Sequence, residues 1–365
     1  MPHRLQTHIA PLDGLRGWAA LMVVIGHFGF FGTIAPAHRQ LGTYGVFLFF
    51  ALSGFLMGHL YLSKPISKQA TATYLVARIS RVVPLYYATV LGGYLIGRYI
   101  DPNFNYAMDT STLVRHLVFL GSVPPFWSIA PEIQFYFLFP VLWWIVTRPA
   151  ETRMRYAIPA AIFAIVVFFF RGNFPGIIVF SKMHIFLAGI TVAVIRPYII
   201  ARLDTKTAII AQIFALIVLA VLLLPASITG ELIYPTGGAS DIKMNRYYGD
   251  LGRLLPFAFV ILAFTFETKL ANLIFANRLM RLTGKFSFSL YLLHSPVMYV
   301  FEKYGVFEYF SYWSAIGITM VVLYLVSTAS FYLLEEPSRV VVRRTLLGIF
   351  ARLDGRSKIP AVAAA

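Results

Sequence analysis

The run from Gly42 to Leu62, GTYGVFLFFALSGFLMGHLYL, contains 21 residues and no Asp, Glu, Lys or Arg. A helix that crosses the hydrocarbon core of a bilayer needs roughly 17–25 predominantly apolar residues. The run is too long for a barrel strand and lacks a strand's alternation, so a helix is the structure that satisfies its backbone in lipid. Similar runs cover Gly17 to Ile34, Val82 to Ile100, Ser128 to Val146, Gly176 to Ile195, Ala208 to Leu224, Phe286 to Phe301 and Ser314 to Leu334. Two weaker ones, Ala157 to Phe170 and Leu254 to Phe266, need flanking residues or a place deep in the bundle. The pattern predicts an all-α polytopic transmembrane bundle of about ten spans.

Composition agrees. Hydrophobic residues make up 59% of the 365 positions and charged residues 13%, against about 25% charged in soluble domains. A water-facing globule could not be covered with so little polar surface. The formal charge is +16, and its placement decides what it means. A nucleic-acid binder gathers its basic residues on a soluble face. Here Lys and Arg collect in alternate loops: Lys64, Lys68, Arg78 and Arg81; Arg148, Arg153 and Arg155; Arg196, Arg202 and Lys206; Lys269, Arg278, Arg281 and Lys285. The positive-inside rule makes those loops and both termini cytoplasmic, and the span count even. A lipid bilayer, not nucleic acid, is the expected partner.

The chain divides into a membrane-embedded domain, 1–340, and a basic cytoplasmic tail, 341–365, the segment after Pro337 being either a short surface helix or disordered. The longest outer loop, Pro225 to Arg253, carries a turn-rich Pro235 to Gly238 stretch. The first run, from Gly17, reads as an uncleaved helix rather than a signal peptide. The absence of cysteine excludes disulfides and thiolate chemistry. No His or carboxylate cluster has metal-ligand spacing, and there is no Gly-rich phosphate loop or G-x-S-x-G elbow. Neither a metal nor a tightly bound cofactor is expected.

Ionisable groups within spans are costly and point to function. Arg16 and His27 are eleven residues apart, almost three whole turns and roughly 16 Å, so they share one helix face. Asp13, one turn before Arg16, is placed to orient its guanidinium. Arg16 alone would be an ordinary interfacial anchor, and His27 alone a helix-to-helix hydrogen bond. Arg78 and Arg81, one turn apart in the loop before a span, either hold a phosphate or simply flank the membrane. Glu132, in Trp127-Ser128-Ile129-Ala130-Pro131-Glu132, is expected near the outer mouth of its helix and needs a partner there. Trp127 and Tyr136 suit an aromatic belt. His294 precedes Ser295-Pro296, and either side chain could satisfy the backbone carbonyl that Pro296 frees. His59 and His184 read as packing or interfacial groups.

These segments together resemble acyltransferase family 3, integral-membrane O-acyltransferases of bacterial surface glycans and some small molecules. The resemblance runs through Leu12-Asp13-Gly14-Leu15-Arg16-Gly17 with His27, Phe49-Phe50-Ala51-Leu52-Ser53-Gly54-Phe55-Leu56, the Arg78/Arg81 pair and Trp127-Ser128-x3-Glu132-x2-Phe135-Tyr136. It ends with Ser289-Leu290-Tyr291-Leu292-x-His294 and Glu335-Glu336-Pro337. The chain departs from the family pattern at Pro131 and Ile133. The resemblance implies a multi-pass protein of the bacterial inner membrane that takes acyl-CoA, most simply acetyl-CoA, from the cytoplasm and a hydroxyl acceptor, often a glycan, at the outer side. It implies His27 and Glu132 as catalytic residues, with Arg16, Arg78 and Arg81 on the donor and Asp13, Ser128, Tyr136 and His294 supporting them. An imidazole near its ordinary pKa suits general-base work, while an acyl-carrier role for His27 stays open. The competing class is a secondary transporter of a sugar or lipid-linked precursor. Transporters show inverted repeats and paired broken helices, and no repeat is visible in this sequence.

Overall fold

The computed structural model describes residues 8–28, 39–228 and 251–353. The described residues are helical throughout, with no strand among them. Ten main helices stand out among the described residues: α1 Ala10–Phe28, α2 Arg39–Tyr61, α3 Lys68–Tyr99, α5 Ile129–Val146, α6 Ala150–Phe170, α7 Met183–Ile200, α8 Thr205–Ile228, α9 Leu251–Ala263, α12 Ser287–Lys303 and α13 Tyr312–Ser330. Short helices lie between them, among them α4 Thr110–Leu117, α10 Lys269–Ile274 and α11 Arg278–Lys285. A π-helical turn, Phe331–Glu335, joins α13 to a last helix, α14 Glu336–Leu353. Each of the ten apolar runs falls on a helix over most of its described residues. Among the described residues, seven helices are long and apolar enough to cross a membrane by length and composition. The weak run at Ala157 extends back to Ala150, whereas the Leu254 run stays short. The turn-rich 235–238 segment lies outside the described residues.

Two packing features position the site. The first is close helix contact through glycine. A Cβ on Gly54 would overlap the Phe186 carbonyl, and one on Gly189 would overlap the Ala51 carbonyl, so α2 and α7 meet backbone to backbone. Gly14 and Gly17 do the same for α1. A Cβ on Gly14 would overlap the Phe275 carbonyl, and one on Gly17 would fall 2.6 Å from the Gly284 nitrogen. The glycines around Arg16 thus seat α1 on the α10–α11 segment, whose starts are capped by Thr268 and Asn277.

The second feature is the length of α3. Ser67 caps it by accepting from the Ala70 N–H, and it runs 32 residues, roughly 48 Å at 1.5 Å per residue. Arg78 and Arg81 therefore do not lie in a loop before a span. They stand ten and thirteen residues inside this helix. The apolar run began at Val82 because the arginines interrupt it, not because the helix starts there.

At the outer surface of the bundle, α6 presents Ile158, Ile162, Phe163 and Phe169 with about half or more of each exposed, a surface suited to lipid. At the far end of the chain, α14 runs through residue 340 without a break and packs on α3. The segment after Pro337 is a helix as far as Leu353, and residues 354–365 lie outside the description.

Candidate functional site

Six side chains from four helices line one narrow cleft: Arg16 of α1, Ser53 of α2, Arg78 and Arg81 of α3, and Glu132 and Tyr136 of α5. Apolar residues Phe49, Leu52, Leu56 and Met57 of α2 complete its wall. Glu132 Oε1 accepts from Ser53 Oγ at 2.7 Å and from Tyr136 Oη at 2.6 Å. Both hydroxyls hold one carboxylate oxygen, which leaves the other for the cleft. Arg78 lies over the Tyr61 ring, 5.9 Å from its centroid. Three guanidinium groups and one carboxylate line the cleft, so it carries an excess positive charge and suits an anionic ligand. Its volume, about 10 Å³, holds roughly one water.

Glu132 is thus in the arginine cleft and not at an opposite mouth. Pro131 lies in the first turn of α5, where its missing N–H costs no helix bond, and a 3-10 turn, Phe126–Ser128, leads into it. Asp13 does not orient Arg16. Its carboxylate pairs with His8 at 2.7 Å, with both groups exposed.

A second cluster surrounds His27. Its ring meets that of His294 edge to face, with centroids 4.4 Å apart. His27 Nδ1 lies 2.8 Å from the Val23 carbonyl, and His294 Nδ1 lies 2.7 Å from the Tyr291 carbonyl. A carbonyl only accepts, so each Nδ1 carries its hydrogen and the neutral ring keeps a lone pair on Nε2. His294 is fully buried, and its Nε2 has no hydrogen-bond partner.

The segment between α3 and α5 clasps α12 beside this pair. Pro296 removes the hydrogen bond that the Leu292 carbonyl would receive, and Tyr106 Oη donates to that carbonyl at 2.8 Å. Tyr106, not His294 or Ser295, therefore satisfies the freed group. Asn105 Nδ2 donates to Ser295 Oγ at 2.5 Å, and Tyr291 Oη donates to the Pro125 carbonyl at 2.8 Å. Ser128 Oγ lies 2.6 Å from Tyr291 Oη, so Ser128 braces the histidine cluster while Glu132, four residues on, belongs to the cleft. His59 stacks on Phe55 and His184 meets Phe168 edge-on, as packing groups do.

Three partners were not assigned from sequence. Ser53 stands within the Ala51-Leu52-Ser53-Gly54 stretch, but nothing in one chain says that it faces Glu132. Tyr106 lies in an unremarkable loop. Glu335 is buried in the π turn and accepts from Ser289 Oγ at 2.6 Å. The acidic pair before Pro337 hinted at it, but the inward turn of Glu335 comes from the π register. Such turns concentrate at functional sites. Among the described residues, no three His, Asp or Glu side chains gather as metal ligands.

A family model described as an acyltransferase domain matches residues 9–333. The acyltransferase MdmB of Streptomyces mycarofaciens is 29% identical over 197 residues, covering 48% of this chain and 49% of that protein. Protein 2 in the picA locus of Rhizobium radiobacter is 40% identical over 92 residues, covering 24% of this chain and 47% of that protein. The chain spans about half the length of these curated relatives. No solved structure matches it.

Proposed function

Since the chain belongs to acyltransferase family 3, we propose that it is a membrane O-acyltransferase that moves an acyl group, in the simplest case acetyl, from cytoplasmic acyl-CoA to a hydroxyl of a glycan or similar acceptor at the bacterial inner membrane. The observation that carries this reading is the cleft that Arg16, Arg78 and Arg81 line together. Acyl-CoA is a polyanion, and guanidinium groups bind phosphate through paired, charge-assisted hydrogen bonds. Lys64, Lys68, Lys269, Arg278 and Arg281 occupy the connecting segments that the charge rule makes cytoplasmic, the side from which acyl-CoA would arrive.

His27 then works as general base. Its Nδ1–H is held by the Val23 carbonyl, so Nε2 is the acceptor for an acceptor hydroxyl. The hydroxyl oxygen attacks the thioester carbonyl as Nε2 takes the proton. The new C–O bond forms, the C–S bond breaks, and the imidazolium returns its proton to the departing thiolate. His294 packs against the edge of this ring and fixes its plane. In this reading Glu132 holds the donor-side arginines rather than the acceptor. The test is purified protein in nanodiscs with labelled acetyl-CoA. Release of free CoA, dependent on His27 and accelerated by a hydroxyl acceptor, supports the reading. Absence of CoA release, with the folded state verified, defeats it.

A further inference from the structure

One face of α2 joins the two halves of the site. Gly42, Phe49 and Leu56 are spaced by seven residues, two turns of helix, so they line up on a single side. Each marks a different level. Gly42 lies beside His27, where a Cβ would stand 3.7 Å from His27 Cε1. Leu56 lines the arginine cleft. Phe49, about 10 Å along the helix from each, lies between. Its ring borders the cleft and meets the Tyr291 ring edge-on at 6.1 Å. The Tyr291 ring is in turn 6.0 Å from that of His294. Phe49 also packs against both hydrophobic clusters of the bundle, the large one around α2 and the smaller one around Val24, Phe28 and Leu290. Its α2 neighbours Phe47, Leu48 and Phe50 are all buried, while Phe49 keeps part of its surface open.

A thioester arm anchored by the arginines and directed at His27 follows this face. Beyond Phe49 the next residue on this face, Gly42, carries no side chain, and a Cβ there would stand only in ordinary contact with His27. The cleft beside the ring holds about 10 Å³, roughly one water, so an acyl group passes only where side chains such as Phe49 give way. We propose that Phe49 is the specificity-determining residue of this site: its ring closes the passage from the arginine cleft to the histidine pair and sets the length of acyl group that reaches His27. The inference rests on the acyl-CoA reading given above. The ring touches the acyl path and takes no part in proton or acyl transfer.

The experiment measures CoA release from acetyl-, butyryl- and octanoyl-CoA by the full-length protein in nanodiscs, with Phe49→Ala and Phe49→Leu beside the wild type. Two variants are used because Phe49→Ala leaves a cavity next to Tyr291, and Phe49→Leu keeps most of the packing. The expected result is a ratio of kcat/KM for octanoyl- over acetyl-CoA that rises about tenfold or more in Phe49→Ala and by less in Phe49→Leu, with KM for acetyl-CoA little changed. A merely structural residue would lower all three donors together. An unchanged ratio in a folded variant overturns the inference while the donor reading stands. If the wild type releases CoA from none of the three, the donor reading fails and the inference falls with it.

Discussion

The imidazoles of His27 and His294 are in edge-to-face contact, 4.4 Å between centroids, although 267 residues separate them in the chain. Each donates its Nδ1–H to a carbonyl of its own helix. Two rings held in this way present Nε2 with little freedom to rotate. His27→Ala removes the proposed base, and loss of a general base lowers turnover by about 10²–10⁴-fold. His294→Ala leaves that base in place but frees its ring plane, so a smaller loss is expected, with donor KM unchanged. Steady-state kinetics on purified variants checks both. Near-wild-type turnover in His27→Ala would remove that histidine from the mechanism.

Arg78 and Arg81 face the cleft from one turn of α3. Arg78→Ala or Arg81→Ala removes charge-assisted hydrogen bonds of roughly 1.5–3 kcal/mol. Acyl-CoA affinity should fall about 10–100-fold. The loss should shrink as ionic strength rises, because salt weakens the wild-type interaction too. Calorimetric titration with a non-hydrolysable acyl-CoA analogue at two salt concentrations measures this. Equal affinity in wild type and variants would make the arginines a membrane flank only.

The all-α class and the position of each main helix were legible in the sequence because lipid imposes a crude requirement, a long apolar run, that residue order displays directly. Arg16, Arg78, Arg81, His27, Glu132 and His294 were legible as costly groups in apolar surroundings. Their grouping was not. The depth of Arg78 is hidden because the hydropathy edge falls at Val82, while the Ser67 cap lies fifteen residues earlier. The hydropathy run that begins at Ser128 points Glu132 toward a far mouth. The 3-10 turn at Phe126–Ser128 instead starts α5 at the level where Ser53 meets Glu132. Asp13 had the right spacing for Arg16, but a nearer exposed histidine took it. Spacing gives the face of a helix, and the neighbour that occupies that face comes from packing.

His116, in α4 outside the membrane-crossing helices, gives a pH-dependent prediction. Its side chain is buried, and burial holds its pKa down to about 4, below the ordinary value near 6.5. The Val123 N–H donates to Nε2 at 3.4 Å, and Nδ1 lies 2.9 Å from Tyr86 Oη, an arrangement that needs the neutral ring. The unfolded chain takes up this proton before the folded one. The contribution to stability is complete above pH about 6.5 and declines as pH falls toward 4. Melting temperatures at pH 7.5, 6 and 5 should therefore drop more steeply in wild type than in His116→Asn. Parallel pH profiles would exclude the histidine as the source.

Gly54→Val tests whether the Ser53-Gly54 pair serves packing as well as the site. The added side chain meets the Phe186 carbonyl, and overpacking of this kind costs about 1–3 kcal/mol. The variant should melt lower and lose turnover together, since α2 also carries Ser53 and Phe49. Gly92→Val is the control, because a Cβ there meets nothing within 4 Å. A Gly54→Val protein as stable as the control would show that α2 and α7 separate without penalty.

Glu132 separates two roles that the sequence alone could not. If it positioned the acceptor, its loss would raise acceptor KM and leave donor KM alone. It lies against Ser53 and Tyr136 within the arginine cleft, and in the proposed mechanism its charge would act on the donor side. Glu132→Gln keeps an acceptor oxygen for both hydroxyls and removes the negative charge from a cleft that three guanidinium groups line. A polyanionic donor should then bind more tightly at low salt, with a steeper loss of affinity as salt rises. Turnover should fall, because a donor drawn more tightly into the cleft without the opposing charge is held less well for transfer. Glu132→Ala differs: it strands the Ser53 and Tyr136 hydroxyls, at about 1–3 kcal/mol for a buried group left unpaired, and should melt lower than Glu132→Gln. Donor and acceptor KM measured for both variants decide the matter. A raised acceptor KM with donor KM unchanged in Glu132→Gln would return Glu132 to the acceptor side and break the link between this carboxylate and the three arginines.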